Sequence, residues 1–156
     1  LGCSNYFAWQ LMKALSISEK HHWEKFVSLQ AHYSLVSRDV EIELAPLCQD
    51  QGLGITPWSP LSGGFLSGKY REGVQVESVR ASGVTKYTNE HGWAVLAKLD
   101  RLANRHSVSV SAIALAWLRQ QPSVAAPIAS ARTVEQLREI MTHVNLSATE
   151  LQFVTD

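Results

Sequence analysis

The feature that most constrains the fold is a regular alternation of strand and helix patterns, with no tight hairpin turn between strands. Strand patterns stand at the start of the chain and over Phe26–Ser34, Leu53–Trp58 and Ser123–Ile128. Strands that are separated by helices pair in parallel, because a parallel neighbour needs a long crossover connection. The sequence therefore predicts an α/β fold in which helices pack on a parallel sheet.

Helices are predicted between and after these strands from apolar spacing and from capping residues. Gly52 is expected to end the second helix as a C-cap. Two capping boxes, Thr133 with Gln136 and Ser147 with Glu150, predict the last two helices. The predicted helices are Ala8–Ser18, Asp39–Gln51, Glu90–His106, Ser111–Gln121, one from Thr133 to about Val144 and one from Ser147 to about Val154. A long Gly- and Ser-rich segment, Ser59–Asn89, is predicted to be a functional loop.

The chain of 156 residues contains four strand–helix units. A TIM (β/α)8 barrel has eight such units and about 250 residues, so four units amount to half of one. We therefore predict a single half-barrel domain over residues 1–156. Because an isolated half barrel would expose two sheet edges and an apolar face, either a partner supplies the other half or the chain is part of a longer protein. The start at Leu1 rather than Met, within a strand pattern, favours the second alternative.

Composition and charge exclude several classes of protein. Lys plus Arg and Asp plus Glu both number 14, so the formal net charge is zero and no nucleic-acid partner is expected. No signal peptide and no apolar run of membrane-spanning length is present, so no membrane partner is expected either. Cys3 and Cys48 are far apart in apolar surroundings, and we predict that both are reduced, buried thiols of a cytoplasmic protein.

Polar and aromatic side chains stand at the ends of the predicted strands, where a parallel α/β barrel builds its site. Ser4 and Asn5 follow the first strand, Gln30 lies in the second, and Trp58 ends the third. The hydroxyl and the two amides can hold a carboxamide, and the indole ring can stack on a flat ring. These residue types together indicate a dinucleotide site.

The fourth predicted strand is followed by an anion-binding pattern. Ser130 and Arg132 precede Thr133, which opens a helix whose first N–H groups face an anion. A guanidinium can bind phosphate through two hydrogen bonds, which a lysine ammonium cannot do. Each residue alone has a structural alternative: a helix cap for Ser4 or Asn5, and a solvated charge for Arg132. The combination at successive strand ends favours the functional interpretation.

Four motifs built from these residues resemble the aldo-keto reductase family, in order and at suitable spacing. Gly2–Asn5 resembles the family's G-x-S-N motif, and Gln30 lies in a stretch similar to Q-x-x-Y-S. Thr56–Tyr70 is similar to the signature of the larger bacterial and channel-β-subunit-like members, and Pro127–Leu137 resembles the NADP-binding signature. The resemblance covers nearly the whole chain and implies the second half of a TIM (β/α)8 barrel, four βα units plus a C-terminal helix, with NADP(H) as cofactor.

The resemblance also implies a role for individual residues. Ser4, Asn5 and Gln30 would hold the nicotinamide carboxamide, and Trp58 would stack on the nicotinamide ring. The other implied contacts are Ser59, Leu61 and Gly63 at the pyrophosphate, Ser130 and Arg132 at the 2′-phosphate, and Gln136 and Glu139 near the adenosine. Where the family often has Asn, this chain has Ile140, so that adenine contact is not expected in its usual form.

In this family the catalytic Tyr, Lys, Asp and usually a His lie in the first half of the barrel, and no residue here matches them. We therefore predict no catalytic residue in this chain, and no carbonyl reduction by the chain alone, because a proton donor is missing. With the missing amino-terminal half as partner, the complete barrel is expected to reduce aldehydes or ketones, its small-molecule carbonyl substrates, with NADPH.

Two alternatives to a reductase stay open, and two others are disfavoured. A non-catalytic NADP-binding regulatory subunit of channel-β type fits the Trp58–Leu61 stretch equally well, and an inactive truncated fragment is also possible. A P-loop over Gly63–Lys69 lacks the Ser or Thr that must follow its lysine, because Tyr70 stands there. A serine-hydrolase elbow at Gly64–Gly68 has the wrong spacing.

Overall fold

A computed structural model describes residues 1–74, 76 and 81–156 of the chain. The elements in chain order are β1 (Gly2–Ser4), α1 (Ala8–Lys20), β2 (Ser28–Gln30), α2 (Leu44–Gln51), β3 (Gly54–Ile55), α3 (Ala81–Val84), α4 (Glu90–His106), α5 (Val110–Arg119), α6 (Val134–Met141) and α7 (Ala148–Thr155). Short 3-10 helices cover Asp39–Glu41, Ser62–Ser67 and Thr85–Tyr87.

Strands β1, β2 and β3 form a parallel sheet in that order. The predicted fourth strand, residues 123–128, lies beside β3 through two isolated parallel bridges, from Ile55 to Val124 and from Trp58 to Ile128. The α/β class and the parallel pairing are thus confirmed. The fourth strand is reduced to two bridges, and the half barrel itself stays a prediction.

The strands are shorter than predicted, whereas the helices agree closely. The β-rich stretch Phe26–Ser34 forms a ladder only over β2 and then continues as single bridges. The predicted helix Asp39–Gln51 is divided into a 3-10 turn and α2, and Pro46 stands in the first turn of α2, where its missing amide hydrogen costs no helical hydrogen bond. Gly52 ends α2 at a φ of 68°, as predicted.

The core is one cluster of buried residues to which the sheet and helices α1, α2, α4 and α5 all contribute. Helix α5 is buried on every side from Ser111 to Leu118, as expected of a helix that is apolar all round. Helix α4 is amphipathic and buries Leu96, Leu99 and Leu102. The Trp117 ring is fully buried, and its Nε1–H donates to Thr155 Oγ1 at 2.9 Å, which ties α7 to the core.

The two predicted capping boxes have different outcomes. At α7 the box is complete, because Ser147 Oγ accepts the Glu150 N–H at 3.3 Å and Glu150 Oε2 accepts the Ser147 N–H at 3.0 Å. At α6 it is half formed. Thr133 Oγ1 accepts the Gln136 N–H, but the Gln136 side chain accepts the N–H of Arg132 rather than that of Thr133.

The Glu150 carboxylate also joins α7 to the end of α4. Its Oε1 lies 3.0 Å from His106 Nε2 and 3.3 Å from Arg105 Nη1. The Ser147 backbone N–H lowers the pKa of Glu150 most, and with the Ser147 hydroxyl, His106 and Arg105 it brings that pKa to about 2. The carboxylate is therefore expected to stabilise the fold in its charged form.

We predict that Glu150→Gln lowers the free energy of unfolding at pH 7 and has a shrinking effect as the pH falls. A depressed pKa in the folded state stabilises the protein above the unfolded pKa of about 4.3, and this contribution is lost between that pH and about 2. Gln keeps an oxygen that can cap the helix, so the variant removes the charge and its interactions with Arg105 and His106. Urea denaturation from pH 7 to pH 3 measures the difference, and the exposed Glu24→Gln serves as control. A difference that stays constant with pH would contradict the prediction.

Candidate functional site

The predicted residues at the first three strand ends lie in one hydrogen-bonded group, which we call the strand-end group: Ser4, Asn5, Gln30 and Trp58. The Asn5 N–H donates to the Gln30 carbonyl at 3.0 Å, and Ser4 Oγ donates to Gln30 Oε1 at 3.4 Å. The indole Nε1–H of Trp58 donates to Asn5 Oδ1 at 2.9 Å. The structure thus brings together all four residues that the sequence predicted for a carboxamide and its ring.

The backbone places Asn5 at the centre of this group. Its φ of 56° lies in the left-handed region, which Asn tolerates better than most residues. Its side-chain oxygen is occupied by Trp58, whereas the amino groups of Asn5 and Gln30 donate no hydrogen bond to the described part of the chain. Two amide donors and the Ser4 hydroxyl can therefore serve a bound carboxamide.

The Trp58 ring is supported from one side by His32. The two rings are stacked, with centroids 4.3 Å apart and planes inclined by 21°. The Trp58 side chain stays 37% exposed, so ring surface is left for a ligand. His32 is not among the site residues predicted from the sequence. Its position two residues after Gln30 could have indicated it, since alternate residues of a strand share a face.

His32 is held in place through both ring nitrogens. Nδ1 lies 3.2 Å from Ser37 Oγ, and Nε2 lies 3.5 Å from the hydroxyl of Tyr87. Burial lowers the pKa of His32 below its ordinary value, the nearby charge of Lys86 lowers it further, and Asp39 acts in the opposite direction.

The other seven predicted residues line a single cavity of about 680 Å³. This volume is typical of a small-molecule site. The cavity begins beside the strand-end group, because Ser59 follows Trp58 directly and Ile128, another lining residue, forms a bridge with Trp58. The seven residues are Ser59, Leu61, Gly63, Ser130, Arg132, Gln136 and Glu139.

One wall of the cavity is a tight turn with glycines in the left-handed region. Gly63 and Gly64 have φ angles of 68° and 96°, and Ser59 Oγ accepts the Gly63 N–H at 3.3 Å. The turn ends with Lys69, which lines the cavity. Lys69 was predicted from the sequence only as part of the P-loop alternative and not as a residue of this site. That alternative fails here because residues 70–74, which follow Lys69 directly, do not form a helix.

The opposite wall is the start of helix α6. Gln136 Oε1 accepts the Arg132 N–H at 3.0 Å and so fixes the backbone beside the exposed Arg132 guanidinium. Glu139 is also exposed, whereas Ile140 is nearly buried. Ile140 lines the cavity, so an apolar side chain stands where the family often has an amide.

The predicted loop Ser59–Asn89 returns to the fold at the 3-10 helix Thr85–Tyr87; residues 75 and 77–80 of it lie outside the described part. A Cβ atom on Gly92, in the first turn of α4, would collide with the Tyr87 carbonyl oxygen and lie 3.0 Å from Phe65 Cζ. The absence of a side chain at Gly92 therefore lets this turn approach α4 and bring Tyr87 to His32.

We predict that Gly92→Ala destabilises the protein by about 1–3 kcal/mol, the usual cost of forcing an atom into a packed region. Alanine is otherwise the better helix residue, by about 1 kcal/mol. The matched control is Gly83→Ala in α3, where an added Cβ meets nothing within 4 Å. Unfolding free energies from urea titration should fall for Gly92→Ala only. Equal values for the two variants would show that the close approach is unimportant.

The described residues contain no group of three or more His, Cys, Asp or Glu side chains able to hold a metal ion. None of their helices is long and apolar enough to cross a membrane. Both cysteines are free; Cys48 is buried as predicted, whereas Cys3 is only partly buried. Burial raises the pKa of Cys48 to about 11, so its thiol is protonated at neutral pH.

Comparison with known proteins gives a family match over almost the entire chain. The sequence model of the aldo/keto reductase family matches residues 1–155. The chain is 37% identical over 150 residues to an uncharacterized oxidoreductase, YrpG, of Bacillus subtilis, a match that covers 94% of this chain and 44% of the relative. It is 33% identical over 153 residues to the protein tas of Escherichia coli, covering 96% of this chain and 44% of the relative.

A fungal relative has a name that states a reaction. The chain is 26% identical over 162 residues to the versiconal hemiacetal acetate reductase of Aspergillus parasiticus, covering 100% of this chain and 47% of the relative. In each of these three matches the chain spans less than half the length of the relative.

Proposed function

This chain belongs to the aldo/keto reductase family, and from that premise we propose that it forms the cofactor-binding, carboxy-terminal half of an NADP(H)-dependent reductase of aldehydes and ketones. The observation that carries the proposal is the grouping of all eleven predicted residues, four in the strand-end group and seven around the adjoining cavity. A dinucleotide is an elongated molecule, and the two regions form a continuous site of matching chemistry.

The strand-end group would bind the nicotinamide end. Asn5, Gln30 and Ser4 offer donors and acceptors to a carboxamide, and the exposed surface of Trp58 offers a stacking partner. Fixing the plane of the amide also fixes which face of the attached ring is presented to a substrate. The bound cofactor supplies the hydride, and these residues supply its orientation.

The cavity would bind the pyrophosphate and the adenosine end. The turn at Gly63 places backbone close to the ligand, and Lys69 adds positive charge on the same wall. Arg132 lies on the opposite wall, where its planar guanidinium suits the dianionic 2′-phosphate. This charge supports the choice of NADP(H) over NAD(H).

Among the described residues, no tyrosine stands at this site to act as the proton donor. Neither the strand-end group nor the cavity lining includes any of the four tyrosines, Tyr6, Tyr33, Tyr70 and Tyr87. Burial raises the pKa of Tyr33, and its hydrogen bond to Glu41 raises it further, so this hydroxyl is a poor acid. We propose that the proton for the carbonyl oxygen comes from the other half of a TIM (β/α)8 barrel.

Apolar side chains at the two edges of the sheet support this arrangement. On the β1 edge, Phe7 and Trp9 are 69% and 65% exposed at the start of α1. On the edge formed by residues 123–128, helix α6 exposes Val134, Leu137 and Met141 along one stripe. Apolar surface of this kind marks an interface. An amino-terminal half barrel would cover both edges at once.

The proposal is tested by supplying the other half. The chain is co-expressed with the amino-terminal half of the Bacillus subtilis relative, and the purified material is titrated with NADPH and assayed for NADPH oxidation with aromatic aldehydes. We expect co-purification, NADPH binding and turnover, with no turnover by the chain alone. A co-purified complex that binds NADPH without turnover would favour the regulatory-subunit alternative. A complex that binds no NADPH would overturn the cofactor assignment.

We predict that Arg132→Ala weakens NADPH binding by about tenfold or more and NADH binding much less. A charge-assisted hydrogen bond contributes about 1.5–3 kcal/mol, and only NADPH carries the 2′-phosphate. Calorimetric titration of both cofactors gives the two ratios. Arg138→Ala, in the helix α6 that follows Arg132 but outside the cavity lining, should leave both affinities unchanged. Equal losses for NADPH and NADH would remove Arg132 from the 2′-phosphate.

A further inference from the structure

His32 stacks on Trp58 of the strand-end group, but the proposed function gives His32 no role. Its ring covers one face of the Trp58 indole at a centroid distance of 4.3 Å. The backbones of the two residues also form a parallel bridge, so the stack rests on sheet pairing as well as on side chains. Any ring that stacks on the remaining exposed surface of Trp58 is therefore separated from His32 by the thickness of one indole.

The imidazole has a defined orientation and a defined charge environment. Ser37, before the 3-10 helix Asp39–Glu41, and Tyr87, on the 3-10 helix Thr85–Tyr87, contact its two nitrogens. The charged groups that act on it are Lys86 and Asp39, one from each of these helices, with opposite signs. Trp58, on the third side, is neutral. The ring is thus placed to gain or lose a proton without leaving its position.

The two redox forms of a nicotinamide cofactor differ in charge at the ring. The oxidised ring carries a positive charge, and the reduced ring is neutral, whereas the carboxamide, pyrophosphate and adenosine are the same in both. A charge behind Trp58 therefore distinguishes the two forms, and a neutral group there does not. The interaction acts through low-dielectric ring atoms, where charges are screened less than in water.

From this geometry we infer that His32 is a positioning and specificity residue of the cofactor site: its neutral form supports the Trp58 stack for either redox form, and its imidazolium form disfavours the oxidised cofactor. The inference rests on the proposed function, because it assumes that a nicotinamide stacks on Trp58. It adds a device that favours release of oxidised cofactor at acidic pH.

The direction of the pH effect follows from the charges. At neutral pH His32 is uncharged, because burial and Lys86 keep its pKa below the ordinary value. As the pH falls through that pKa, a cation forms behind Trp58 and the affinity for NADP+ decreases relative to that for NADPH. By linkage, binding of NADP+ near this pH releases protons from the protein, and binding of NADPH releases fewer.

The experiment measures the ratio of the dissociation constants of NADP+ and NADPH from pH 8 to pH 5. The ratio is used because the 2′-phosphate, whose second ionisation lies near pH 6, titrates in both cofactors and cancels. We expect the ratio to rise severalfold towards pH 5 in the unaltered protein. In His32→Phe, which keeps a stacking ring without a titratable group, the ratio should be independent of pH.

A charge variant locates the titrating group. Lys86→Gln removes the charge that opposes protonation of His32, so the inflection of the ratio should move to higher pH. The control is Lys13→Gln on the exposed side of α1, which should leave the inflection in place. An inflection that does not respond to Lys86→Gln would count against His32 as the titrating group.

The supporting role of the ring is tested with a probe that lacks nicotinamide. His32→Ala should weaken both NADP+ and NADPH but leave the affinity for 2′-phospho-ADP-ribose unchanged, since that molecule cannot stack on Trp58. Equal losses for all three ligands would mean that His32 only maintains the fold, and the inference would be wrong.

Failure of the proposed function and failure of the His32 inference give different results. If the unaltered protein binds neither cofactor nor 2′-phospho-ADP-ribose, the proposed function falls and this inference falls with it. If both cofactors bind and the ratio has the same pH dependence in the unaltered protein and in His32→Phe, only the inference about His32 is overturned.

Discussion

The candidate site depends on parallel backbone pairing that continues past the ends of the regular strands. The Asn5 N–H bonds to the carbonyl of Gln30, and the Trp58 N–H bonds to that of Ala31 at 2.9 Å. The Ile128 N–H then bonds to the Pro57 carbonyl at 2.8 Å. These hydrogen bonds align four chain segments at one edge of the sheet. Side chains that are up to 124 residues apart, from Ser4 to Ile128, are therefore neighbours before any ligand is present.

Some polar groups of the site are already hydrogen-bonded within the fold, whereas others remain available to a ligand. Gln136 is largely occupied by the α6 cap and by the Arg132 backbone, and Asn5 uses its oxygen on Trp58. The first of these sets of bonds holds the backbone of the cavity wall, and the bond to Asn5, together with the stack on His32, holds the Trp58 ring. The guanidinium of Arg132 is exposed instead, as expected for a group that meets a hydrated anion. The Trp58 ring and the Arg132 backbone are thus held by hydrogen bonds, whereas the Arg132 side chain extends into solvent.

Much of this arrangement could be predicted from the sequence, because it follows from local rules. The glycine that ends α2, the helix over Glu90–His106 and the order of polar residues at strand ends all depend on near neighbours along the chain. The spacing of His32 from Gln30 could have placed it beside this site, but its contact with Tyr87, 55 residues away, could not be predicted, since that contact depends on the close approach of the chain at Gly92. Strand lengths were overestimated because β propensity does not report where a partner strand ends.

The same contacts explain why binding and chemistry are separable in this fold. Each residue of the strand-end group lies on the three-stranded sheet or on a segment that continues one of its strands, so the geometry of this group is internal to the chain. A proton donor has no such anchor here, because the buried hydroxyl of Tyr33 is committed to Glu41 at 2.7 Å and lies in the core. Under the proposed function, the proton would have to come from an element that packs against the apolar edges at α1 and α6. Such an element would complete the core and deliver the acid in a single packing event, which would couple the stability of the proposed barrel to its chemistry.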